Sequence, residues 1–171
     1  MRLSLAADTM LVLIGPSGAG KSTFAARHFA TTEVLSSDAL RAMVADDPND
    51  QSATDAAFEL LHAALALRLA RGRLTVVDAT NVERWARARL LDEARRHHRP
   101  AAALVFDLPL AVCLDRNAAR TDRRLPPPAI RRQHARMRAS LEGLAGEGFD
   151  SVTVLATTEA VERIRLARGS A

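Results

Sequence analysis

A glycine-rich segment of eight residues constrains the fold of this chain more than any other feature. Residues 15–22 read Gly-Pro-Ser-Gly-Ala-Gly-Lys-Ser and match the phosphate-binding loop pattern G-x-x-x-x-G-K-[ST] at every fixed position. The residues before the loop read as a buried strand and those after it as a helix, which is the context that this loop requires. Lys21 is the only lysine among 24 Lys and Arg residues. Its compact ammonium suits a position between phosphates better than an arginine fork would.

The composition is that of an ordinary globular chain. With 171 residues, of which 48% are apolar and 26% charged, the sequence predicts a single domain over residues 1–171. Cys113 is the only cysteine, which excludes an internal disulfide, and its apolar helical neighbours favour a core position over a nucleophile. Asp8 interrupts the apolar N-terminal stretch, and no apolar run approaches the roughly 18 residues of a membrane span. We therefore expect a cytoplasmic protein without a signal peptide.

The chain alternates between short apolar runs and helical periodicity. Strands are predicted at residues 9–14, 33–36, 74–78, 101–108 and 152–155. Helices are predicted at residues 22–29, 38–44, 51–71, from 80 or 81 up to Pro100, and at 109–117, 126–144 and 158–168. Five strands separated by helices are typical of an α/β fold with a parallel sheet that helices cover on both faces.

The carboxyl ends of these strands are where a ligand should bind. After the first strand, backbone N–H groups of the loop would wrap the β-phosphate of a nucleotide at a helix N-terminus. Lys21 would neutralise charge on the transferred group, Ser22 would bind Mg²⁺, and Thr23 would contact the neighbouring phosphate. The predicted nucleotide-binding residues here are Gly15, Ser17, Gly18, Ala19, Gly20, Lys21, Ser22 and Thr23.

Acidic residues follow the second and third predicted strands. Asp38 and Arg41 are three residues apart at the start of a helix and therefore point to one side. A carboxylate there can accept a hydroxyl proton while the arginine holds a substrate anion, although the local sequence fits a helix N-cap at Asp38 equally well. Asp78 closes an apolar strand and resembles an acid that holds Mg²⁺ directly or through water. An N-cap at this strand end fits Thr80 or Asn81 better than Asp78.

Arginines cluster after the fourth predicted strand. Arg116, Arg120 and Arg123 have i, i+4, i+7 spacing and would share a face if their helix persisted. A mobile lid over about residues 116–128 could then close on a triphosphate and stabilise the transferring phosphoryl group. Surface charge is the competing interpretation, and it fits Arg120 and Arg124 best.

A second group of basic residues lies between residues 84 and 99. We interpret its six arginines as the solvated face of a helix. Aromatic residues are scarce, with Trp85, five Phe and no Tyr. A long stacking platform for single-stranded nucleic acid is therefore not expected.

Four of these segments together resemble the kinase domain of bacterial polynucleotide kinase-phosphatases. They are Gly-Pro-Ser-Gly-Ala-Gly-Lys-Ser at 15–22, Ser-Ser-Asp-Ala-Leu-Arg at 36–41, Val-Asp-Ala-Thr-Asn at 77–81 and Arg-Asn-Ala-Ala-Arg-Thr-Asp-Arg at 116–123. The enzymes of that family repair RNA and join the kinase to a phosphatase and a ligase-like module. The resemblance therefore implies that this chain is the N-terminal module of a longer repair protein with fused phosphatase and ligase-like domains. The resemblance covers nearly the whole chain, with a departure in the consecutive prolines at 126–128.

The resemblance implies a reaction, cofactors and roles for individual residues. The γ-phosphate of ATP or another NTP would pass to the 5′-hydroxyl end of RNA or DNA, with Mg²⁺ or Mn²⁺ as the metal. The implied catalytic residues are Asp38 as general base, Lys21, Arg116 and Arg123. Arg116, Arg120 and Arg123 would bind the donor, while Asp38, Arg41, Gln51, Thr80 and Asn81 would bind the acceptor. Ser22 and Asp78 would hold the metal, within an adenylate-kinase-like fold that carries an Arg-rich lid.

Two other functions use the same residues. The first is a small-molecule kinase with a sugar, nucleoside or antibiotic acceptor, which does not require Arg41 to grip a phosphodiester. The second is a nucleotide-driven switch or ATPase subunit, which leaves the pair Asp38 and Arg41 unexplained. Phosphorylation of an oligonucleotide end distinguishes a polynucleotide kinase from both.

Overall fold

The computed structural model describes residues 1–121 and 124–169. Its strands are β1 Arg2–Leu5, β2 Met10–Ile14, β3 Val34–Ser36, β4 Thr75–Asp78, β5 Ala101–Phe106, β6 Ser151–Leu155 and β7 Arg165–Arg168. Its helices are α1 Lys21–His28, α2 Ser37–Ala45, α3 Thr54–Ala70, α4 Arg84–Arg96, α5 Leu110–Ala119, α6 Pro127–Leu144 and α7 Thr158–Arg163. Short 3-10 turns precede β3 at Thr31–Glu33 and α3 at Gln51–Ala53.

Five strands form a parallel sheet in the order β3-β4-β2-β5-β6. Strand β2 lies at the centre, and all five of its residues are buried because helices pack on both faces. One face packs against α1, α5 and α7, and the other against α3 and α4, while α6 contributes to both cores. The predicted α/β class and the five-stranded parallel sheet are confirmed.

The sheet topology places the phosphate-binding loop at a crevice. From β2 the chain runs outward to β3 and returns through β4, whereas β5 pairs with the opposite side of β2. The loops after the neighbouring strands β2 and β4 lead to α1 and α4 on opposite faces of the sheet. The crevice between two such loops is where open α/β sheets bind ligands.

A second, two-stranded sheet joins the two ends of the chain. The predicted helix over 158–168 was too long, because α7 ends at Arg163 and β7 pairs in parallel with β1. Leu3 and Leu5 are buried while Arg2 and Ser4 are exposed, which is the alternation of a half-buried strand. The two strands are more than 150 residues apart in sequence, so local periodicity could not reveal this pairing.

The helix after β4 also begins later than predicted. Helix α4 starts at Arg84, because Asn81 is left-handed, with φ of 48°, and the N-cap Glu83 is extended, so neither residue has a helical conformation. The interpretation of residues 84–99 as a solvated face was wrong for one arginine, since Arg87 is fully buried. Cys113 is buried, as expected. Among the described helices, none has the length and apolar character that crossing a membrane requires.

Candidate active site

The phosphate-binding loop depends on glycine at two positions. Gly18 and Gly20 have φ of 82° and 95°, in the left-handed region that side chains disfavour. Gly18 also lies directly on helix α5, because a Cβ there would come within 2.2 Å of the carbonyl oxygen of Cys113. Gly20 is the N-cap of α1, so the loop delivers its backbone N–H groups to a helix N-terminus.

Two contacts fix the loop from outside. The backbone N–H of Gly15 donates to the carbonyl of Thr80 at 2.9 Å, which joins the loop to the end of β4. The backbone N–H of Ser17 donates to the Oε1 atom of Gln133 on α6, also at 2.9 Å. The loop is therefore anchored before any ligand binds, and Gln133 is a contributor to which sequence analysis gave no role.

Lys21 is buried at the first position of α1. Its ammonium donates to the carbonyl oxygens of Gly15 at 2.8 Å and Pro16 at 2.9 Å. These two bonds hold the ammonium beside the loop, where a phosphate that enters the loop would meet it.

Ser22 and Asp78 contact each other within electrostatic range of this ammonium. The Ser22 hydroxyl donates to the carboxylate of Asp78, which is the last residue of β4 and is only 5% exposed. Burial raises the pKa of Asp78 above its usual value, and the negative charge of Asp38 adds to the rise. The Lys21 ammonium and the Ser22 hydrogen bond act in the opposite direction.

The oxygen atoms of Ser22 and Asp78 fit a magnesium ion. Mg²⁺ is usually held by one or two carboxylates together with substrate phosphates and waters, so a complete protein cage is not required. The described residues contain no group of three or more His, Cys, Asp and Glu side chains that could hold a metal. A cation at Asp78 would also favour the ionised carboxylate that burial disfavours.

Asp38 and Arg41 form an ion pair on α2. The N-cap of this helix is Ser36, whose hydroxyl oxygen accepts from the backbone N–H of Ala39 at 3.4 Å, so Asp38 lies in the first turn. The Nη1 atom of Arg41 donates to Oδ1 of Asp38 at 2.8 Å. The N-cap interpretation of Asp38 was therefore wrong, and its carboxylate is instead held by an arginine.

Arg41 is more enclosed than a surface arginine. It is 4% exposed, and beyond Asp38 it donates to the carbonyl of Pro48 at 3.1 Å and to the Thr54 hydroxyl at 3.3 Å. The side chain of Asp38 remains 33% exposed. The pair thus presents the carboxylate and not the guanidinium to solvent.

A cleft of about 850 Å³ brings most of the predicted residues together. The predicted residues that line it are Ser17, Gly18, Gly20, Lys21, Ser22, Thr23, Asp38, Asp78, Thr80, Arg116 and Arg120. Sequence analysis missed Arg27 on α1 and Thr158, Val161 and Glu162 on α7, which also line the cleft. Helix α7 follows β6 at the same edge of the sheet, so the rule applied to the other strand ends could have found it.

Three predicted acceptor residues do not line this cleft, namely Gln51, Asn81 and the enclosed Arg41. Gln51 is exposed, and its amide donates to the carbonyl of Asn49 at 3.2 Å. Asn81 is buried, and its amide donates to the carbonyl of Leu13 at 2.8 Å, so it joins the turn after β4 to the neighbouring strand β2. In the structure, the Asn81 side chain holds the turn on which Thr80 lies.

The arginines after β5 do not continue one helical face. Helix α5 ends at Ala119, and Arg120 follows as an extended C-cap, so the predicted i, i+4, i+7 alignment stops there. Arg116 and Arg120 nevertheless both line the cleft, and a Cβ on Gly20 would lie 3.3 Å from the Arg116 guanidinium. Arg123 lies outside the described residues.

Asn117 closes the segment that follows α5. Its side-chain amide donates to the carbonyl of Leu125 at 2.9 Å and accepts from the backbone N–H of Leu125 at 3.0 Å. The two ends of the connection between α5 and α6 are therefore held together beside the cleft. Sequence analysis gave Asn117 no role, because its partner depends on the path of this connection.

Comparison with known proteins places this site in a family. A family model described as an AAA domain matches residues 10–144, which includes every strand from β2 to β5 and the whole phosphate-binding loop. The chain belongs to this AAA domain family. A search of curated proteins finds no match.

Solved structures show the same fold at low sequence identity. A chain of the AvrRxo1-ORF1:-ORF2 complex with ATP has a TM-score of 0.69 at 15% identity, covering 88% of this chain and 55% of that one. The Pnkp1/Rnl/Hen1 complex gives 0.55 at 22%, covering 68% and 40%. A gluconokinase from Sinorhizobium meliloti 1021 gives 0.56 at 20%, covering 92% and 90%. This chain thus spans about half the length of the matched chain in the AvrRxo1-ORF1:-ORF2 complex, and its fold is that of a P-loop kinase.

The Gly18→Ala substitution tests the loop geometry. It should weaken binding of a nucleoside triphosphate at least about tenfold, since a left-handed conformation alone costs a residue other than glycine about 1–3 kcal/mol and the loop must also move away from Cys113. Isothermal titration calorimetry with ATP and Mg²⁺ measures the change. Gly143→Ala is the matched control, because a Cβ at this exposed position of α6 meets no atom within 4 Å. Equal affinity in the two variants would contradict the rigid-loop interpretation.

Proposed function

We propose that the protein is a polynucleotide 5′-hydroxyl kinase, which transfers the γ-phosphate of ATP or another NTP to the 5′-hydroxyl end of RNA or DNA. The observation that carries the proposal is the position of Asp38. A carboxylate held at 2.8 Å by a buried arginine lines the same cleft as Lys21 and Ser22. A nucleotide-driven switch needs no such base, whereas transfer to an alcohol does.

Different residues of the chain would have different roles in phosphoryl transfer. Backbone N–H groups of the loop and the Lys21 ammonium would bind the donor phosphates, and Asp38 would orient the acceptor hydroxyl and take its proton. Arg116 and Arg120 would lie against the transferred phosphoryl group, as part of a lid that includes Arg123. Ser22 and Asp78 would hold Mg²⁺, which when bound neutralises charge on the donor phosphates.

Arg41 contributes in two ways under this proposal. Its bond to Asp38 fixes the carboxylate rotamer, which holds the base in line with the cleft. The family resemblance gives its positive charge, three residues after Asp38 on the same helix, a second role, which would be to attract a phosphate next to the reacting hydroxyl.

A small-molecule kinase is the second candidate function. The gluconokinase and a sugar kinase from Janibacter sp. HTCC2649 match this chain over most of both lengths, whereas the Pnkp1/Rnl/Hen1 chain matches over 40% of its own. Arg41 also donates hydrogen bonds inside the protein, to the Pro48 carbonyl and the Thr54 hydroxyl. Both observations favour an acceptor that lacks a phosphodiester.

The deciding experiment offers both acceptor classes to the same protein. We expect ³²P from γ-labelled ATP with Mg²⁺ to appear on the 5′ end of a 5′-hydroxyl oligonucleotide, and gluconate and free nucleosides to be poor acceptors. An oligonucleotide that already carries a 5′-phosphate is the matched control and should take no label. Label on a sugar or nucleoside with none on the oligonucleotide would replace the proposal by the second candidate.

A further inference from the structure

Trp85 is an aromatic residue whose side chain does not pack in the core. It is the only tryptophan of the chain, and 65% of it is exposed at the first turn of α4. A single exposed aliphatic residue is common in soluble proteins, but this side chain leaves a large flat ring system in water. None of the proposed steps of phosphoryl transfer involves it.

The backbone under Trp85 is held firmly. The turn before it is fixed by the bond from Asn81 to Leu13, and the carbonyl of Asn81 accepts from Nη1 of Arg87 at 2.9 Å. Glu83, two residues before the tryptophan, pairs with Arg136 on α6. A ring on a fixed backbone stacks on a ligand at a low cost in conformational entropy.

A short length of chain separates Trp85 from the cleft. Thr80 lines the cleft together with Asp38, and Trp85 follows Thr80 by five residues. Five residues span at most about 18 Å of chain. Stacked bases of a strand are about 3.4 Å apart, so a few nucleotides cover this distance.

Positive charge accompanies the ring. Arg84 precedes it and Arg89 follows it by one helical turn, on the same face, and both arginines are exposed. An aromatic ring flanked by cations is what a single strand requires, because bases stack on the ring while the cations bind phosphates. An uncharged sugar acceptor would use neither.

We infer that Trp85 stacks on a base of the acceptor strand, a few nucleotides from the 5′-hydroxyl, and thereby makes the enzyme prefer oligonucleotides over mononucleotides. The inference rests on the proposed function and extends it from a 5′-hydroxyl group to a single-stranded acceptor of several nucleotides. One ring provides one stacking position, in keeping with the scarcity of aromatic residues elsewhere in the sequence.

Because Trp85 is the only tryptophan, its fluorescence reports directly on stacking with a nucleotide base. Titration of the protein with a 5′-hydroxyl oligonucleotide should quench its tryptophan fluorescence, whereas a nucleoside 3′-monophosphate should not, because it is too short to reach the ring. Quenching without phosphate transfer would keep the stacking site and overturn the proposed kinase activity. Absence of both quenching and phosphate transfer would overturn the stacking inference and the proposed kinase activity.

Kinetics of the Trp85→Ala variant complete the test. The KM for the oligonucleotide should rise about 5-fold to 150-fold, as expected for loss of one base–aromatic stack, with kcat and the KM for ATP unchanged. Trp85→Phe should restore part of the loss. The KM for a mononucleotide acceptor should not change in either variant.

Leu67→Ala is the matched control for loss of an exposed apolar side chain. Leu67 is 64% exposed on α3 and adjoins Arg68, which binds the beginning of β4 at the opposite end of the sheet. An oligonucleotide kinase whose KM is the same in Trp85→Ala as in Leu67→Ala would overturn the stacking inference and leave the proposed function intact. A change in sedimentation of Trp85→Ala alone, with normal KM, would assign the ring to a contact between two copies of the chain and overturn the inference as well.

Discussion

The Asp38→Asn substitution is expected to lower kcat for phosphate transfer by about 10²-fold to 10⁴-fold, the contribution of a positioned general base. Asparagine keeps the size of the side chain and can still accept the hydrogen bond from Arg41, so the geometry of α2 should survive. What it loses is the capacity to take the proton of the acceptor hydroxyl. The affinity for ATP should stay within a few-fold of the unsubstituted value, because Lys21 and the loop bind the donor.

Single-turnover assays with labelled ATP and calorimetric titration with ATP measure the two quantities separately. Asp46→Asn is the matched control, since Asp46 is the C-cap of the same helix in a left-handed conformation that asparagine tolerates. A kcat for Asp38→Asn within tenfold of that for Asp46→Asn would show that another group takes the proton. A large loss of ATP affinity would instead place Asp38 on the donor side.

Removal of either partner of the buried pair Arg87 and Glu147 is expected to lower the free energy of unfolding by about 3–5 kcal/mol. The two side chains are 0% and 5% exposed and form two hydrogen bonds, of 2.7 Å from Nε and 2.6 Å from Nη2. In Arg87→Met the Glu147 carboxylate stays buried without its cation, and in Glu147→Leu the guanidinium loses its anion. Urea denaturation followed by circular dichroism measures both.

The double variant Arg87→Met, Glu147→Leu separates the charge from the packing. Replacement of both charges by apolar side chains should restore most of the stability, since no unpaired buried charge remains. The exposed pair of Arg163 and Glu159 provides the control, and Glu159→Gln should leave the urea midpoint unchanged. Single variants that lose no more stability than this control would contradict the importance assigned to the buried pair.

These two experiments probe parts of the molecule that differ in how far the sequence predicts them. The phosphate-binding loop was predictable residue by residue, because its function depends on fixed spacing and on glycines at left-handed positions, which are local properties. The buried strands were predictable for a similar reason, since a continuous apolar run between turn residues has few other uses in a soluble chain. Their end positions then determined that Lys21, Asp38 and Asp78 would lie at one edge.

The parts that failed depend on partners far away in sequence. Arg87 reads as one arginine in a basic helix, and only its contact with Glu147, 60 residues later, makes it a core residue. Asn81 reads as a helix cap or an acceptor ligand, yet its amide is used by Leu13, 68 residues earlier. The local sequence of β7 predicts a helix, and only its pairing with β1 makes it a strand.

Local sequence patterns are therefore enough to predict the scaffold, the phosphate-binding loop and the kinds of residue that line the cleft. The use of each side chain depends on tertiary contacts: Asp38 faces the cleft, the Arg41 guanidinium turns inward to bind Asp38, and Trp85 is exposed to solvent. The physical reason is that backbone conformation follows from local sterics and hydrophobic periodicity. The direction and use of a polar side chain follow from the partner that folding brings to it, because a buried polar group must find one.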